Sequence, residues 1–146
     1  MSSFIYTRAI AKLMSGDLDL DTHDIRMLAV MTSTTANTEK NSEFISSITT
    51  LDEFDGLNYA RKTLSGEAVN IDLVNFRAEF DATNVTWTSL GNGTRQLAGY
   101  VILRHVTNDA DSIPIAFIDT ANINPGGVDV TLIFDDEGII QGANSA

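Results

Sequence analysis

The chain has 146 residues, 43% hydrophobic and 20% charged, with 9 basic against 20 acidic side chains, a formal net charge of −11 and no cysteine. This length and composition fit a single globular domain, residues 1–146, and exclude a disordered chain, a disulfide scaffold and a thiolate metal site. The acidic excess argues against nucleic acid and against an anionic membrane surface, because both are bound through Lys and Arg. The charge is also uneven: residues 101–146 hold one basic residue, Arg104, against seven acidic ones. That end is expected in solvent or against a basic partner.

The first segment, "MSSFIYTRAIAKLMSG", has no long apolar run followed by small residues. It reads as neither a signal peptide nor a membrane span, so synthesis in a cytoplasm is the expectation. Without a secretory signal, Asn84-Val85-Thr86 and Asn92-Gly93-Thr94 are chance matches to the glycosylation pattern. From Phe4 to Met14 two patterns compete. Tyr6, Ala9, Ile10, Leu13 and Met14 form a helical stripe, whereas the opening residues are of β type. Gly16 ends the segment. Residues 1–6 would form an extended arm, whose Phe4, Ile5 and Tyr6 are candidate partner-interface residues.

Ile25 to Thr32 reads as a largely buried strand. The polar "TSTTANTEKNSE" follows, and then Glu43–Leu51 shows helix-like spacing with Ser42 as N-cap. From Leu57 onward the pattern is strand after strand: 57–64, 68–73, 75–80, 85–87, 96–106, 114–119, 128–134 and 138–140. The run 96–106 is the most apolar and is expected to be central. Ser65-Gly66 reads as a turn between two of these strands, and "DDEG" at 135–138 as a tight hairpin turn between the last two. Short strands at roughly ten-residue spacing predict a mostly-β fold. We expect an antiparallel β-sandwich, jelly-roll-like, with one or two short helices.

The stretch "GDLDLDTHD", Gly16 to Asp24, is the segment that most resembles a site. Asp17, Asp19 and Asp21 alternate like the first ligands of a calcium loop, but that loop needs Gly at its sixth position and Glu at its twelfth, where Thr22 and Leu28 stand. The interleaved Leu18 and Leu20 instead predict an extended connector with one buried face. His23 and Asp24 have the chemistry of a base and its orienting carboxylate, yet no nucleophile motif accompanies them. His105 reads as a strand-end residue. Asp135, Asp136 and Glu137 read as solvated turn acids, and "GNG" and "PGG" as turns lacking the Lys and helix of a phosphate loop. Trp87, the one tryptophan, suits a core anchor; the sharper alternative is a partner-interface anchor. No catalytic set, metal ligand set or cofactor is expected.

Five motifs in order, "LMSGDLDLDTHDIRMLAVMTS", "DEFDGLNYARKTLSG", "AEFDATNVTWTSL", "RQLAGYVILRHVT…DSIPIAFID" and "FDDEGII", resemble those of small structural proteins of tailed bacteriophages. The resemblance implies a non-enzymatic virion component, best fitted to a capsid decoration or cement protein. Such a protein binds the major capsid protein on the outer surface of the head, often as a dimer or trimer, and braces the shell. It would be made in the host bacterial cytoplasm and touch neither nucleic acid nor membrane. The polar "TTANTEKNSEF" insert departs from the pattern. The alternatives are a tail or fibre component binding a host receptor or glycan, and a sugar-active jelly roll using Asp135, Asp136 or the Asp17–Asp24 cluster.

Overall fold

The structure is a computed structural model that describes residues 2–143. Met1, the first residue of the expected arm, lies outside them. The fold is mostly β, with three antiparallel sheets and one short helix among the described residues. In chain order the elements are β1 (Phe4–Ile5), α1 (Thr7–Ser15), β2 (Ile25–Met31), a 3-10 turn (Ile45–Ser47), β3 (Lys62–Thr63), β4 (Ala68–Asp72), β5 (Arg77–Asp81), β6 (Val85–Leu90), β7 (Leu97–Arg104), β8 (Ile113–Ile123), β9 (Val128–Leu132) and β10 (Ile140–Ala143).

The two competing patterns at the N-terminus are both used. Phe4 and Ile5 pair with Phe117 and Ala116 as an edge strand. The good helix formers of Arg8–Met14 then wind into α1, which buries Ala9. Gly16 closes the helix in the left-handed region, φ 83°, where a side chain would be strained, and Asp17 N–H returns to the Lys12 carbonyl at 2.9 Å.

The large sheet runs β1-β8-β7-β2-β3, with β7 in the middle as its apolar run requires. Val101, Ile102 and Leu103 of β7 and Met27, Leu28, Ala29 and Val30 of β2 have no exposed surface. Strands buried on both faces read as continuous apolar runs, which is why these two are the clearest in the sequence. Gly99 is required here: a Cβ would meet the Ile118 carbonyl oxygen and the Phe117 ring, each at 2.7 Å. The other sheets are β10-β5-β4 and β6-β9.

Tertiary pairing corrects the expected last hairpin and the length of the 57–64 strand, and it refines two further expectations. The turn at 135–138 exists, closed by Gly138 N–H on the Asp135 carbonyl at 2.9 Å, but its flanking strands part: β9 pairs with β6, and β10 with β5. Ser65-Gly66 likewise separates β3, paired with β2, from β4, paired with β5. The strand expected over 57–64 contracts to Lys62–Thr63. The short helical segment expected over 43–51, one or two turns by its length, is the single turn Ile45–Ser47, but its N-cap is Phe44; Ser42 instead donates to the Glu39 carbonyl at 3.0 Å.

Candidate functional site

The sequence-level interface candidates sit within the chain's own packing. Tyr6 and Trp87 have no exposed surface. The Tyr6 hydroxyl donates to the Ala36 carbonyl at 2.7 Å, and burial raises its pKa well above the usual phenol range. The Trp87 indole N–H donates to the Ala60 carbonyl at 2.8 Å, and its ring stacks between Tyr59 and Tyr100. Phe4 and Ile5 are half-buried in β1, and the Phe4 ring stacks on Phe117 at 5.7 Å. The anticipated arm, over its described residues, is therefore paired onto β8 rather than extended into solvent.

In the Gly16–Asp24 stretch, Leu18 and Leu20 are buried while Asp17, Asp19 and Asp21 face solvent. Arg104 pins it by donating to the Asp17 carbonyl at 3.1 Å. His23 and Asp24 turn to different partners. The His23 Nδ1 accepts the Asp19 N–H at 3.0 Å, whereas Asp24 accepts from Arg26 at 2.7 Å. Hydrogen bonding from Asp21 holds Asp19 below the usual carboxylate range and pushes Asp21 up. No group of His, Asp and Glu suited to a metal ion occurs among the described residues. At the chain's other acidic cluster, Asp135 Oδ1 accepts the Glu137 N–H at 2.9 Å, and Glu137 pairs with Arg77 at 3.3 Å. His105 directly follows β7, its backbone N–H donating to the Asp24 carbonyl at 2.8 Å.

The charged network around Arg61 is architectural. Arg61 is bidentate to Glu53, at 2.8 and 2.7 Å, and to Asp109, at 2.6 and 2.9 Å. Tyr59 donates to Glu53 at 2.9 Å and accepts the Ala29 N–H at 2.9 Å. These contacts tie two long loops to β2, and all the carboxylates are occupied in doing so.

The feature without an internal explanation is the β10-β5-β4 sheet. Its registers place Val69 beside Phe80 and Ile140, and Ile71 beside Ala78 and Gly142. Since side chains alternate, these residues share one face. The opposite face carries Asn70 beside Glu79, and Asp72 beside Arg77, with Arg77 bonded to Glu79 at 2.6 Å. The apolar face is covered at one end only. Phe80 and Ile140 are buried, and α1 lies near them across a groove of about 350 Å³ lined by Ile10, Leu13, Met14 and Val69. At the β4–β5 turn no described residue covers it. Ile71 is 75% exposed, Leu73 78%, Val74 84% and Phe76 70%.

Exposed turns are ordinarily polar, so "LVNF" at 73–76 is an anomaly. It was the available signal, hidden because Phe76 also fits an alternating strand. Phe76 moreover has φ 55°, a left-handed backbone that an aromatic residue rarely adopts. Exposed large apolar side chains clustered within six residues mark an interaction surface. This face, rather than any acidic cluster, is the candidate site. No protein family, curated protein or solved structure matches this chain, so the reading of its role rests on this geometry and on the motifs above.

Proposed function

We propose that this chain is a non-enzymatic virion structural protein, a capsid decoration protein that packs the uncovered face of β4 and β5 against the major capsid protein on the outside of a phage head. The observation that carries it is the apolar tip Ile71–Phe76 on a chain of net charge −11. Burying such side chains is worth roughly 1.5–3 kcal/mol each, which is the driving force a docking protein needs. The acidic charge supports an external position, away from packaged DNA. The ordered motifs support the phage assignment. The accompanying fold reading is a jelly-roll-like sandwich, with the two small sheets packed over the five-stranded one around a shared core.

Cosedimentation with purified mature shells tests the proposal. Binding in a fixed ratio to capsid protein is expected, and Ile71→Asp combined with Phe76→Ser should abolish it. Absence from purified virions would overturn the reading, and immunogold label confined to tails would transfer it to a tail component.

A further inference from the structure

The apolar face has a neighbouring feature that decoration alone does not use, the outer edge of β4. A free strand edge is a template for pairing, and proteins protect such edges with short strands, Lys, Pro or bulges. The other edges here are protected. In the five-stranded sheet the edge strands β1 and β3 have two residues each, and β3 carries Lys62. The β6-β9 pair is interrupted by a register shift between Trp87 and Leu90, and β9 carries Asp129. β10 is only four residues long and faces Phe4, Ile5 and Ile118 across a groove of about 460 Å³.

β4 has fewer of these devices: its one charged residue, Asp72, stands at its last position and is paired with Arg77 of its own sheet at 3.4 Å. It is five residues long, pairs with β5 without a register shift, has a strand neighbour on one side only among the described residues, and contains neither Lys nor Pro. Residues Ala68 to Ile71 are also uncharged, in a chain whose net charge of −11 opposes self-contact elsewhere.

We propose that two copies of this chain pair through their β4 edges, antiparallel and centred on Asn70, joining two three-stranded sheets into one. Full overlap of the five-residue strand fixes that centre. Asn70 then faces its own counterpart, Val69 faces Ile71 of the second copy, and Ala68 faces Asp72. No like charges stand opposite each other, and the side-chain alternation of both sheets is preserved. Val69 and Ile71, now 51% and 75% exposed, gain a cross-strand apolar contact on each side of the axis. The pairing uses the edge, so the outer apolar faces of both copies remain together on one side. The inference rests on the strand edge and holds whether or not the partner of that face is a capsid.

The chain lacks cysteine, so single introduced cysteines report the register directly. Opposed residues across antiparallel strands have Cα atoms about 4.5–5.5 Å apart, inside the disulfide range of about 4.4–6.8 Å. Asn70→Cys should therefore form a disulfide-linked dimer under mild oxidation. Ala68→Cys alone should not, because its counterpart is about 13 Å away along the strand. An equimolar mixture of Ala68→Cys and Asp72→Cys should cross-link between the two variants. Sedimentation velocity of the unmodified protein at micromolar concentration should show a dimer. Ile71→Pro, which removes an edge N–H because the backbone of Asn70 faces Glu79 of β5 and that of Ile71 faces outward, should weaken it by about tenfold or more with an unchanged circular dichroism spectrum. A monomer at all concentrations, or a dimer that cross-links equally well through Val128→Cys on β9, would overturn the proposal. Both measurements use isolated protein, so a negative result here is separable from failure to bind shells.

Discussion

The Trp87 ring lies on the Tyr100 ring with centroids 5.5 Å apart and planes 12° apart. This contact joins the two-stranded sheet to the middle strand of the five-stranded one. Tyr59 stacks on Trp87 at 6.2 Å, and Phe54 meets Tyr59 edge-on at 5.7 Å, so one aromatic column holds the long 53–61 segment to both sheets. Trp87→Ala should cost about 3–5 kcal/mol. Trp87→Phe should cost less, because it keeps the stack and loses mainly the hydrogen bond to Ala60, about 1–3 kcal/mol. Urea unfolding followed by circular dichroism orders the two; equal losses would remove the stack from the account.

Gly99 and Gly142 make a paired test of close packing. Gly99→Ala forces a methyl into the Ile118 carbonyl and the Phe117 ring, and should cost about 1–3 kcal/mol. Gly142→Ala meets no atom within 4 Å and should change stability by less than about 0.5 kcal/mol. Thermal melts of both variants read the difference directly.

Stability should hold a plateau across neutral pH and fall at both ends. Arg26, Arg95 and Arg61 hold Asp24, Asp52 and Asp109 in turn below the ordinary carboxylate range. Their contribution is present above the unfolded-state value of about 4 and is lost as pH falls through the lower folded-state values. Burial raises Tyr6 and Tyr59 and pushes Tyr100 up to about 12. Their contribution is present below the unfolded-state value of about 10 and is lost as pH rises above it. Urea midpoints should therefore be flat from about pH 5 to 9 and drop on either side. A midpoint that rises above about pH 10 would contradict the burial of the phenols.

Phe76 separates folding from binding. Its backbone sits at φ 55° and its ring is exposed, so the residue contributes strain and little core. Phe76→Gly should keep stability or raise it by about 1 kcal/mol, since glycine enters the left-handed region freely. The same variant should weaken docking through the apolar face. A loss of both stability and docking would mean that the ring packs onto the fold instead.

Calcium should not bind the Asp17–Asp24 stretch. Its backbone and side chains are committed to one another: Asp21 N–H donates to Asp19 Oδ1 at 3.3 Å, and His23 accepts from the Asp19 N–H. Calorimetric titration should give no isotherm, and micromolar binding lost in Asp19→Ala would reassign the segment.

Local pattern alone determined the mostly-β character, the central position of 96–106, the buried leucines of the Gly16–Asp24 connector and the glycine that stops α1. Each depends on periodicity or on one residue's conformational freedom, which act over a few positions. Tertiary structure decided which strands pair. The 135–138 turn looks like a hairpin turn from either side, yet β9 and β10 leave it for different sheets because their partners, β6 and β5, lie far back in the chain. It also decided which apolar residues are core. Trp87 and Phe76 are both aromatic residues in strand-like surroundings, and only the packing of the sheets encloses the first and leaves the second in solvent. Alternation tells which face a side chain takes, but whether anything covers that face depends on elements distant in sequence. For the β4–β5 turn, no described part of this chain does.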